Sequence, residues 1–426
     1  MRVYVESFGC AQNRGEGATI ARGLQAAGHE LLGGPEGSDA SVLVTCGVIG
    51  PTETRMLGRW RQLSELSGRV VVTGCLVPLR VGLFDGPAAT RTTFVPIREQ
   101  GRIPGLLAPS VARPPEQSTP PPLPVASLSE EVVIAQGCTS GCAYCFSRLA
   151  RGRLESVPAA EVAQRVRAAV GRGALEVRLT GLDTAAWGLD LGTDERLPEL
   201  VERVVPELGV ARLRVGMMSP QSLEPFVERY AEALDQSGVY RFVHLPVQSG
   251  SDTILSAMHR GHSVEQFRRE VALLRARVPE LHLATDVIVG YPGESEEDAR
   301  RTERLIEEVG PETVNVTRFS PRPGTPAAKL PPLGPRLARE RSRTLAALRR
   351  RVARARLERW IGSRQWGRVL EYGPGESSMV RLDNYLPVVL SRRPPLGSAL
   401  EVRVDGARST YLLGTPHAEA SPTVSK

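Results

Sequence analysis

Three closely spaced cysteines carry the most specific chemical signal in this 426-residue sequence. Cys138, Cys142 and Cys145 follow one another as C-x3-C-x2-C in GCTSGCAYC, and we call them the compact triad. Three thiolates can bind an iron–sulfur cube and leave one iron without a protein ligand, so that a substrate can bind there. A zinc site normally needs a fourth protein ligand, and the neighbouring sequence offers neither cysteine nor histidine for it. The spacing therefore predicts a reactive 4Fe–4S cluster.

The other three cysteines are spread over the first domain of the sequence. Each follows closely on an apolar segment that is predicted to be a strand, at 2–7, 42–45 or 70–73. Because the carboxyl ends of parallel strands share one edge of a sheet, these cysteines are predicted to meet there. The alternative is that they are buried apolar residues. This spaced triad, which is predicted to hold a second cluster, consists of Cys10, Cys46 and Cys75.

The composition is that of an ordinary globular protein, with 41% hydrophobic and 24% charged residues. The sequence has no run of about eighteen apolar residues, which predicts that no segment spans a membrane. The start, MRVYVESFGC, lacks the layout of a secretory signal. We therefore expect a cytoplasmic protein, whose thiols stay reduced and available to metals.

The positive charge of the sequence is concentrated in one segment. The net charge is +7, and residues 336–360 contain ten arginines and two acidic residues, a balance of +8. This segment is predicted to be a basic helix that binds a polyanion. The alternative is a helix face that is merely solvated.

The pattern of apolar segments and prolines divides the chain into an α/β protein with three folded units. We expect a doubly wound α/β domain first, because strand and helix patterns alternate there. A proline-rich linker follows, then a partial barrel, the basic helix and a small β-barrel of the oligonucleotide-binding type, with a disordered tail. The predicted ranges are 1–100, 101–130, 131–335, 336–360, 361–416 and 417–426.

Six strand patterns in the central unit alternate with amphipathic helix patterns, which favours a partial (βα)6 barrel. The compact triad follows the first of these strands. It is therefore predicted to lie at the carboxyl-terminal mouth of the barrel, where barrel enzymes keep their chemistry. The predicted strands are 131–136, 176–180, 212–217, 241–247, 281–289 and 313–319.

The sequence resembles the radical S-adenosylmethionine (SAM) methylthiotransferase family over nearly its whole length. The resemblance to the family's amino-terminal domain lies in SFGCAQN, VTCGV and TGCLVP. Its central motifs are matched by GCTSGCAYCFSRLARGRLES, HLPVQSGSDTILSAMHRG, DVIVGYPGESEED and FSPRPGTPAAKL. The last unit, with RLDNY, is similar to the family's RNA-binding TRAM module.

Within the family, the motifs SRLARG, LTGLDTAAWGLDLGT and FSPRPGTPAAKL resemble the archaeal and eukaryotic branch most. That branch converts N6-threonylcarbamoyladenosine at tRNA position 37 to its 2-methylthio derivative. The runner-up is the branch that acts on N6-isopentenyladenosine, and the branch that modifies a ribosomal-protein aspartate fits less well. Two further alternatives are a radical SAM enzyme for a peptide or small metabolite and a non-catalytic iron–sulfur RNA-binding sensor.

The resemblance implies two 4Fe–4S clusters and SAM as cofactors. The compact triad would hold the cluster that cleaves SAM, and the spaced triad would hold an auxiliary cluster that carries the sulfur to be transferred. One SAM would methylate that sulfur, and a second would supply the radical that removes hydrogen from C2 of the adenine. The implied partners are the tRNA anticodon loop, an electron donor such as ferredoxin or flavodoxin, and a sulfur donor. We expect a monomer.

Further site residues follow from the aligned motifs, with a purely structural role as the alternative for each. Those implied to contact the cofactor are Thr180, Gly181, Asp183, Arg214, Gln248 and Ser249. Those implied to contact the substrate are His244 and Arg322, the latter through a phosphate or the threonyl carboxylate.

The sequence departs from the family pattern at three positions. Leu182 stands where the family often has a polar residue, and His262 stands where a tyrosine is common. Phe146 follows the third cysteine of the compact triad, where relatives often carry lysine or valine. These departures affect the predicted SAM and substrate contacts but not the two triads.

Overall fold

The structure is a computed structural model that describes residues 1–47, 50–107 and 128–419. Three folded units follow one another along the chain: a parallel five-stranded sheet with helices, a six-unit βα barrel, and a closed five-stranded β-barrel. The predicted α/β class with its small carboxyl-terminal barrel is therefore confirmed. Among the described helices, none combines the length and apolar character that crossing a membrane requires.

The first unit is a parallel sheet with the strand order β2-β1-β3-β4-β5. Its strands β3 and β4 are buried on both faces, which explains their continuous apolar runs such as ASVLVT in β3. Separate apolar clusters cover the two faces, so the predicted doubly wound arrangement is confirmed. The elements are β1 Arg2–Ser7, α1 Ala11–Ala26, β2 Glu30–Leu32, β3 Ala40–Thr45, α2 Gly50–Leu66, β4 Arg69–Gly74, α3 Val77–Arg80, β5 Thr92–Phe94 and α4 Ile103–Leu106.

The core of the first unit continues past the boundary predicted at residue 100. Ile103 and Leu107 are both fully buried against its sheet. Most of the linker predicted at 101–130, residues 108–127, lies outside the described residues.

The second unit is a partial barrel built from two three-stranded parallel sheets. The sheets have the orders β10-β9-β6 and β11-β12-β13, and a parallel bridge between Met217 and His244 connects them. All six predicted strands are present. The elements are β6 Ser129–Val133, β7 Ala135–Gln136, α5 Phe146–Arg151, β8 Glu155–Ser156, α6 Ala159–Gly171, β9 Glu176–Thr180, α7 Leu197–Val204, β10 Arg212–Val215, α8 Pro220–Leu223, α9 Val227–Leu234, β11 Phe242–His244, α10 Asp252–Ala257, α11 Val264–Arg277, β12 His282–Val289, α12 Glu296–Val309 and β13 Thr313–Arg318.

A long helix leads to the third unit, which is a closed barrel. The basic segment predicted as a helix at 336–360 forms α13 Pro335–Glu358, and its apolar side packs on the partial barrel through Leu345 and Leu348. The strands of the small barrel alternate buried and less buried residues, as expected for sheets with one wet face. They are β14 Arg364–Tyr372, β15 Ser378–Leu382, β16 Pro387–Leu390, β17 Ala399–Ala407 and β18 Leu412–Glu419. The tail predicted from residue 417 therefore begins within β18, and 420–426 lie outside the described residues.

The small barrel docks on the partial barrel through an aromatic residue with an unusual backbone. Tyr385 has φ +66°, which few non-glycine residues adopt. Its ring lies 4.9 Å from the ring of Tyr240 and 4.7 Å from that of Phe242. The guanidiniums of Arg381 and Arg214 lie over the same ring at 4.4 and 5.2 Å. These ring and cation–π contacts hold the two barrels together.

Replacing Tyr385 by alanine is expected to weaken this docking. The substitution removes the ring from two aromatic neighbours and two guanidiniums, so we expect a loss of about 2 kcal/mol or more. In a unit as small as this barrel, each kcal/mol lowers Tm by roughly 4–8 °C, so a loss of about 2 kcal/mol is expected to lower Tm by roughly 8–16 °C in a thermal unfolding experiment. Tyr372→Ala is the matched control, because that tyrosine is on the same small barrel but 42% exposed. Equal shifts for the two variants would contradict the docking role of Tyr385.

Candidate active site

The compact triad lies in the loop after the first barrel strands, as predicted. Each sulfur atom accepts one hydrogen bond: Cys138 from the Ser140 amide at 3.4 Å, and Cys145 from the Arg148 amide at 3.3 Å. Cys142 accepts from the Arg260 guanidinium at 3.4 Å. Hydrogen bonds to sulfur stabilise thiolates and tune the potential of any cluster that they bind.

Burial keeps the thiols of Cys138 and Cys145 protonated in the absence of a metal. It raises the pKa of Cys145 to about 11, although the Arg148 amide opposes this shift. Burial also raises the pKa of Cys138, and the carboxylate of Asp183 adds to that shift. Metal binding at such thiols must therefore release protons, which couples occupancy of the site to pH.

The spaced triad also converges, since each of its cysteines follows a strand of the first sheet. Cys10 follows β1, Cys46 follows β3 and Cys75 follows β4. The strand order reverses between β1 and β3, which is where doubly wound sheets bind their ligands. Burial raises the pKa of Cys75 to about 12, Arg151 opposes this, and Cys10 and Cys46 are close enough to raise the pKa further.

Two glycines allow the close approaches that this arrangement needs. Gly9 has φ +102°, and a Cβ atom there would lie 2.6 Å from the Cβ of Cys46. A Cβ on Gly47 would lie 2.6 Å from the ring of Phe146. Phe146 directly follows Cys145, so its ring fills the space between the compact triad and the residue after Cys46.

A buried ion pair joins the first unit to the barrel beside the spaced triad. The side chain of Arg151 is 1% exposed and that of Glu16 is 4% exposed. Arg151 pairs with both carboxylate oxygens of Glu16 and donates to Asn13 Oδ1 at 2.6 Å and to Gln136 Oε1 at 2.8 Å. Gln136 in turn donates to Glu16 at 2.7 Å, so each member of the network is satisfied by another.

A cavity of about 400 Å³ opens at the carboxyl ends of β11, β12 and β13, against the compact triad. Its lining combines aromatic, apolar and polar side chains, as ligand pockets do. None of the spaced triad lines it; Cys145 and Phe146 do. The lining residues are Tyr144, Cys145, Phe146, Ser147, His244, Gln248, Asp286, Val287, Ile288, Asn315, Thr317, Arg318, Phe319, Ser320 and Arg322.

A polar cluster occupies the wall of this cavity. Asp286 Oδ1 accepts from Asn315 Nδ2 at 2.7 Å and lies 2.9 Å from His244 Nε2. Burial alone raises the pKa of Asp286, but the bonds to His244 and Asn315 outweigh it and lower that pKa. The carboxylate is therefore ionised and holds the imidazole and the amide in place.

Arg322 closes the cavity on the side of the first unit. Its guanidinium pairs with Glu53 of α2 at 2.6 Å and lies 4.6 Å above the Phe146 ring. Its side chain is only 5% exposed, and its Nε lacks a hydrogen-bond acceptor within the described residues. Glu53 also pairs with Arg80, so this cluster of two arginines and one carboxylate keeps a net positive charge, and Arg322 forms a second contact between the two units.

The structure brings some of the predicted residues to the cavity and leaves others outside it. His244, Gln248 and Arg322 line it, whereas Ser249 is buried beside Thr302 with its Oγ at 3.4 Å from that hydroxyl. Arg214 lies at the other end of the barrel, with its guanidinium 4.6 Å from the Phe242 ring. Its cofactor role and that of Ser249 stay predictions without support from their placement.

The turn after β9 lies beside the compact triad. Thr180 ends that strand and is buried, Gly181 follows it, and the Asp183 carboxylate accepts from the Ser219 amide at 2.9 Å and the Ser222 hydroxyl at 2.8 Å. Of the three departures from the family pattern, Phe146 contacts the site directly. His262 is buried, and burial lowers its pKa to about 4, so this ring is neutral.

Sequence reasoning missed four side chains of the candidate site, of which three are Arg260, Asp286 and Asn315. Asp286 opens the DVIVGYPGE motif, but a single carboxylate in a strand carries no signal of its partners. Arg260 comes after both β11 and α10 in the chain, and only the folded structure brings its guanidinium to Cys142. Glu53 was also missed, because its partner Arg322 is 269 residues away.

Each triad offers three thiols as possible metal ligands. In the described parts of the chain, no three His, Cys, Asp or Glu side chains are placed to hold one metal ion. A cube places each thiolate on a different iron atom, so its ligands stand further apart. Three converging thiols without a fourth protein donor, as in each triad, are the donor set of a cube with one open iron.

Comparison with known proteins defines the class first. A model of the radical SAM superfamily matches residues 132–306, and a model of the Uncharacterized protein family UPF0004 matches residues 2–81. The solved radical SAM methyltransferase TsrM from Kitasatospora setae superposes with a TM-score of 0.55, covering 77% of this chain and 76% of TsrM. At 16% identity, this likeness supports the fold alone.

Full-length relatives narrow the class to one family. The chain is 36% identical to the probable threonylcarbamoyladenosine tRNA methylthiotransferase of Pyrococcus horikoshii, over 97% of this chain and 99% of the relative. The threonylcarbamoyladenosine tRNA methylthiotransferase of Xenopus laevis is 30% identical over all of this chain and 79% of its own length. The chain belongs to this radical SAM methylthiotransferase family, and membership implies a 4Fe–4S cluster and SAM as cofactors.

Breaking the ion pair at Arg151 is expected to separate the first unit from the barrel. Arg151→Met leaves the carboxylate of Glu16 buried without a positively charged partner, which costs about 3–5 kcal/mol. The double variant Arg151→Met/Glu16→Met is expected to recover much of that loss, because no buried charge remains. Urea-induced unfolding measures both. Arg167→Met, which breaks an exposed pair with Glu207, is the control and is expected to leave the unfolding midpoint unchanged. A double variant that unfolds at the same urea concentration as the single variant would contradict the role of the buried charge.

Proposed function

We propose that this protein is a tRNA methylthiotransferase that converts N6-threonylcarbamoyladenosine at tRNA position 37 to its 2-methylthio derivative. The observation that carries the proposal is the convergence of two cysteine triads on either side of the Phe146 ring, next to a cavity of nucleoside size. The names of the full-length relatives support the same substrate.

The proposal assigns the compact triad to the SAM-binding cluster and the spaced triad to an auxiliary cluster. When bound, these groups with SAM supply radical formation and a transferable methylthio group. Cys145 lies just before α5 and its sulfur accepts a hydrogen bond from the Arg148 amide, a contact that would stabilise the thiolate when a cluster is bound. The convergence of each triad supports the assignment.

The cavity supplies the means to hold an adenine base. Tyr144, Phe146 and Phe319 offer aromatic surface on which a base splayed from a loop can stack. Asp286 and Asn315 present an acceptor and a donor for the edge of that base. His244 and Gln248 complete the polar wall, and Thr180, Gly181 and Asp183 are proposed for the SAM side of the compact triad. Positioning of the base against both triads is the catalytic contribution of these residues.

Partners follow from the same assignment. We propose tRNA as the macromolecular substrate, with the closed barrel of the third unit as an RNA-binding module. An electron donor and a sulfur donor are needed for turnover, and the chain is proposed to act as a monomer in the cytoplasm. An N6-isopentenyladenosine substrate is the second candidate, because the aromatic and apolar lining suits an alkenyl group as well.

Single cysteine variants test the division of labour between the triads. Wild-type protein prepared without oxygen is expected to contain about eight irons, four for each cube. Cys46→Ala is expected to retain about four irons and to cleave SAM without methylthiolating tRNA. Cys138→Ala is expected to retain the auxiliary cluster and to lose SAM cleavage. Iron analysis and measurement of 5′-deoxyadenosine report these outcomes, and identical behaviour of the two variants with full iron content would refute the assignment.

Nucleoside analysis tests the substrate. In tRNA from a strain that lacks this protein, mass spectrometry is expected to find threonylcarbamoyladenosine without its 2-methylthio form. The reason is that this protein is proposed to add the methylthio group at C2 of the adenine. Loss of methylthio-isopentenyladenosine instead would assign the second candidate. If SAM with dithionite yields no 5′-deoxyadenosine from the reconstituted protein, the chain is a sensor and the enzyme proposal is wrong.

A further inference from the structure

We propose that one face of α13 is the docking track for the anticodon stem of the tRNA, aligned so that the loop reaches the cavity. The face carries four arginines, which we call the arginine stripe: Arg336, Arg339, Arg343 and Arg350. This inference rests on the proposed function, and it adds which surface holds the RNA backbone and in which direction the stem runs.

The four arginines share one side of the helix. They are spaced by three, four and seven residues, which are the spacings that return to the same side of an α-helix. All four side chains are exposed, while Leu345 and Leu348 on the opposite side are buried against the partial barrel. With a rise of about 1.5 Å per residue, the stripe is about 21 Å long.

The stripe arginines have no acidic partner within the described residues, whereas four of the other five arginines of α13 do, and the fifth, Arg349, bonds to the Val314 carbonyl. Arg341 pairs with Glu294, Arg351 with Glu307, Arg354 with Glu358 and Arg356 with Glu312. Such pairs are expected of arginines that hold a helix against its neighbours or form ion pairs on an exposed helix face. One acidic side chain, Glu340, is exposed near the stripe, so the charge of this face is four positive against one negative.

The ends of α13 show which way the stripe runs. Near its start, the Ala338 Cβ lies 2.9 Å from where a Cβ on Gly290 would be, and Arg341 bonds to Glu294. Both partners follow the carboxyl end of β12, at the mouth that holds the cavity. Near its end, Arg356 pairs with Glu312, which precedes β13 at the far end of the barrel.

The stripe therefore leads from the cavity mouth to the small barrel. Arg318, exposed at the end of β13, lies in the cavity lining and continues the positive charge to the mouth. Each strand of an RNA helix carries a row of negatively charged phosphates. Guanidiniums in a row on a rigid protein helix can pair with several of these phosphates at once. The continuity with the cavity at one end and the proposed RNA-binding barrel at the other favours a stem whose loop enters the cavity.

The stripe is tested with a matched pair of double variants in reconstituted protein. Arg339→Gln/Arg343→Gln removes two stripe charges, and Arg69→Gln/Arg277→Gln removes two exposed arginines elsewhere that also lack acidic partners in the described chain. Affinity for a fluorescent anticodon stem-loop carrying threonylcarbamoyladenosine is measured between 50 and 200 mM salt. Each lost phosphate contact reduces the salt slope by about 1, so over this range the wild type is expected to lose roughly ten-fold more affinity than the stripe variant. The control variant is expected to follow the wild type.

The length of the stem separates docking from general attraction. Removing the stem and keeping the loop nucleotides is expected to weaken binding by the wild type and to have little further effect on the stripe variant. Equal effects of the two double variants would overturn the proposal. So would an unchanged salt slope, or equal binding of a DNA duplex or an acidic peptide with the same dependence on the stripe. Methylthiolation of the stem-loop by the wild type is measured alongside, so a failure of the proposed function is seen separately.

Discussion

The buried ion pair between Arg151 and Glu16 is the interaction on which the arrangement of the site depends. It is the point where the helix after the compact triad meets the helix after Cys10. Two desolvated charges are costly unless each is fully bonded, and here Asn13 and Gln136 complete the network. Arg151 also opposes the rise in the pKa of Cys75 that burial causes. The same guanidinium therefore joins the two units and favours negative charge at the spaced triad.

Both triads use the same property of parallel sheets, although they belong to different units. In each, the cysteines lie beyond the carboxyl ends of strands, where backbone amides and helix starts point toward the ligand. The cavity lies at these ends of the strands in the second unit, and all of its lining residues belong to that unit. The first unit contacts its edge through the hydrogen bond between Arg322 and Glu53.

The local features of the chain could be predicted because their signals are local. The six barrel strands, the basic helix and the five strands of the small barrel follow from apolar periodicity and turn residues, and the convergence of Cys10, Cys46 and Cys75 follows from their positions after strands. The position of Arg214 could not be predicted in this way, because its place in a strand does not show which end of the barrel its side chain faces. Its contact with Tyr385 depends on how a separate unit docks. The contact between Arg260 and Cys142, which are far apart in the chain, likewise depends on how the helices and strands pack.

Phe146 shows how a departure from a family pattern acquires meaning only in the fold. A charged or branched residue there would leave Gly47 without its packing partner and Arg322 without the ring beneath it. The aromatic ring instead contacts the residue after Cys46, stacks under a guanidinium that is bound to Glu53, and lines the cavity. One side chain thus contacts the loop after Cys46, the cavity and the guanidinium of Arg322 at the same time. Packing around this phenyl ring therefore links the surroundings of the two triads.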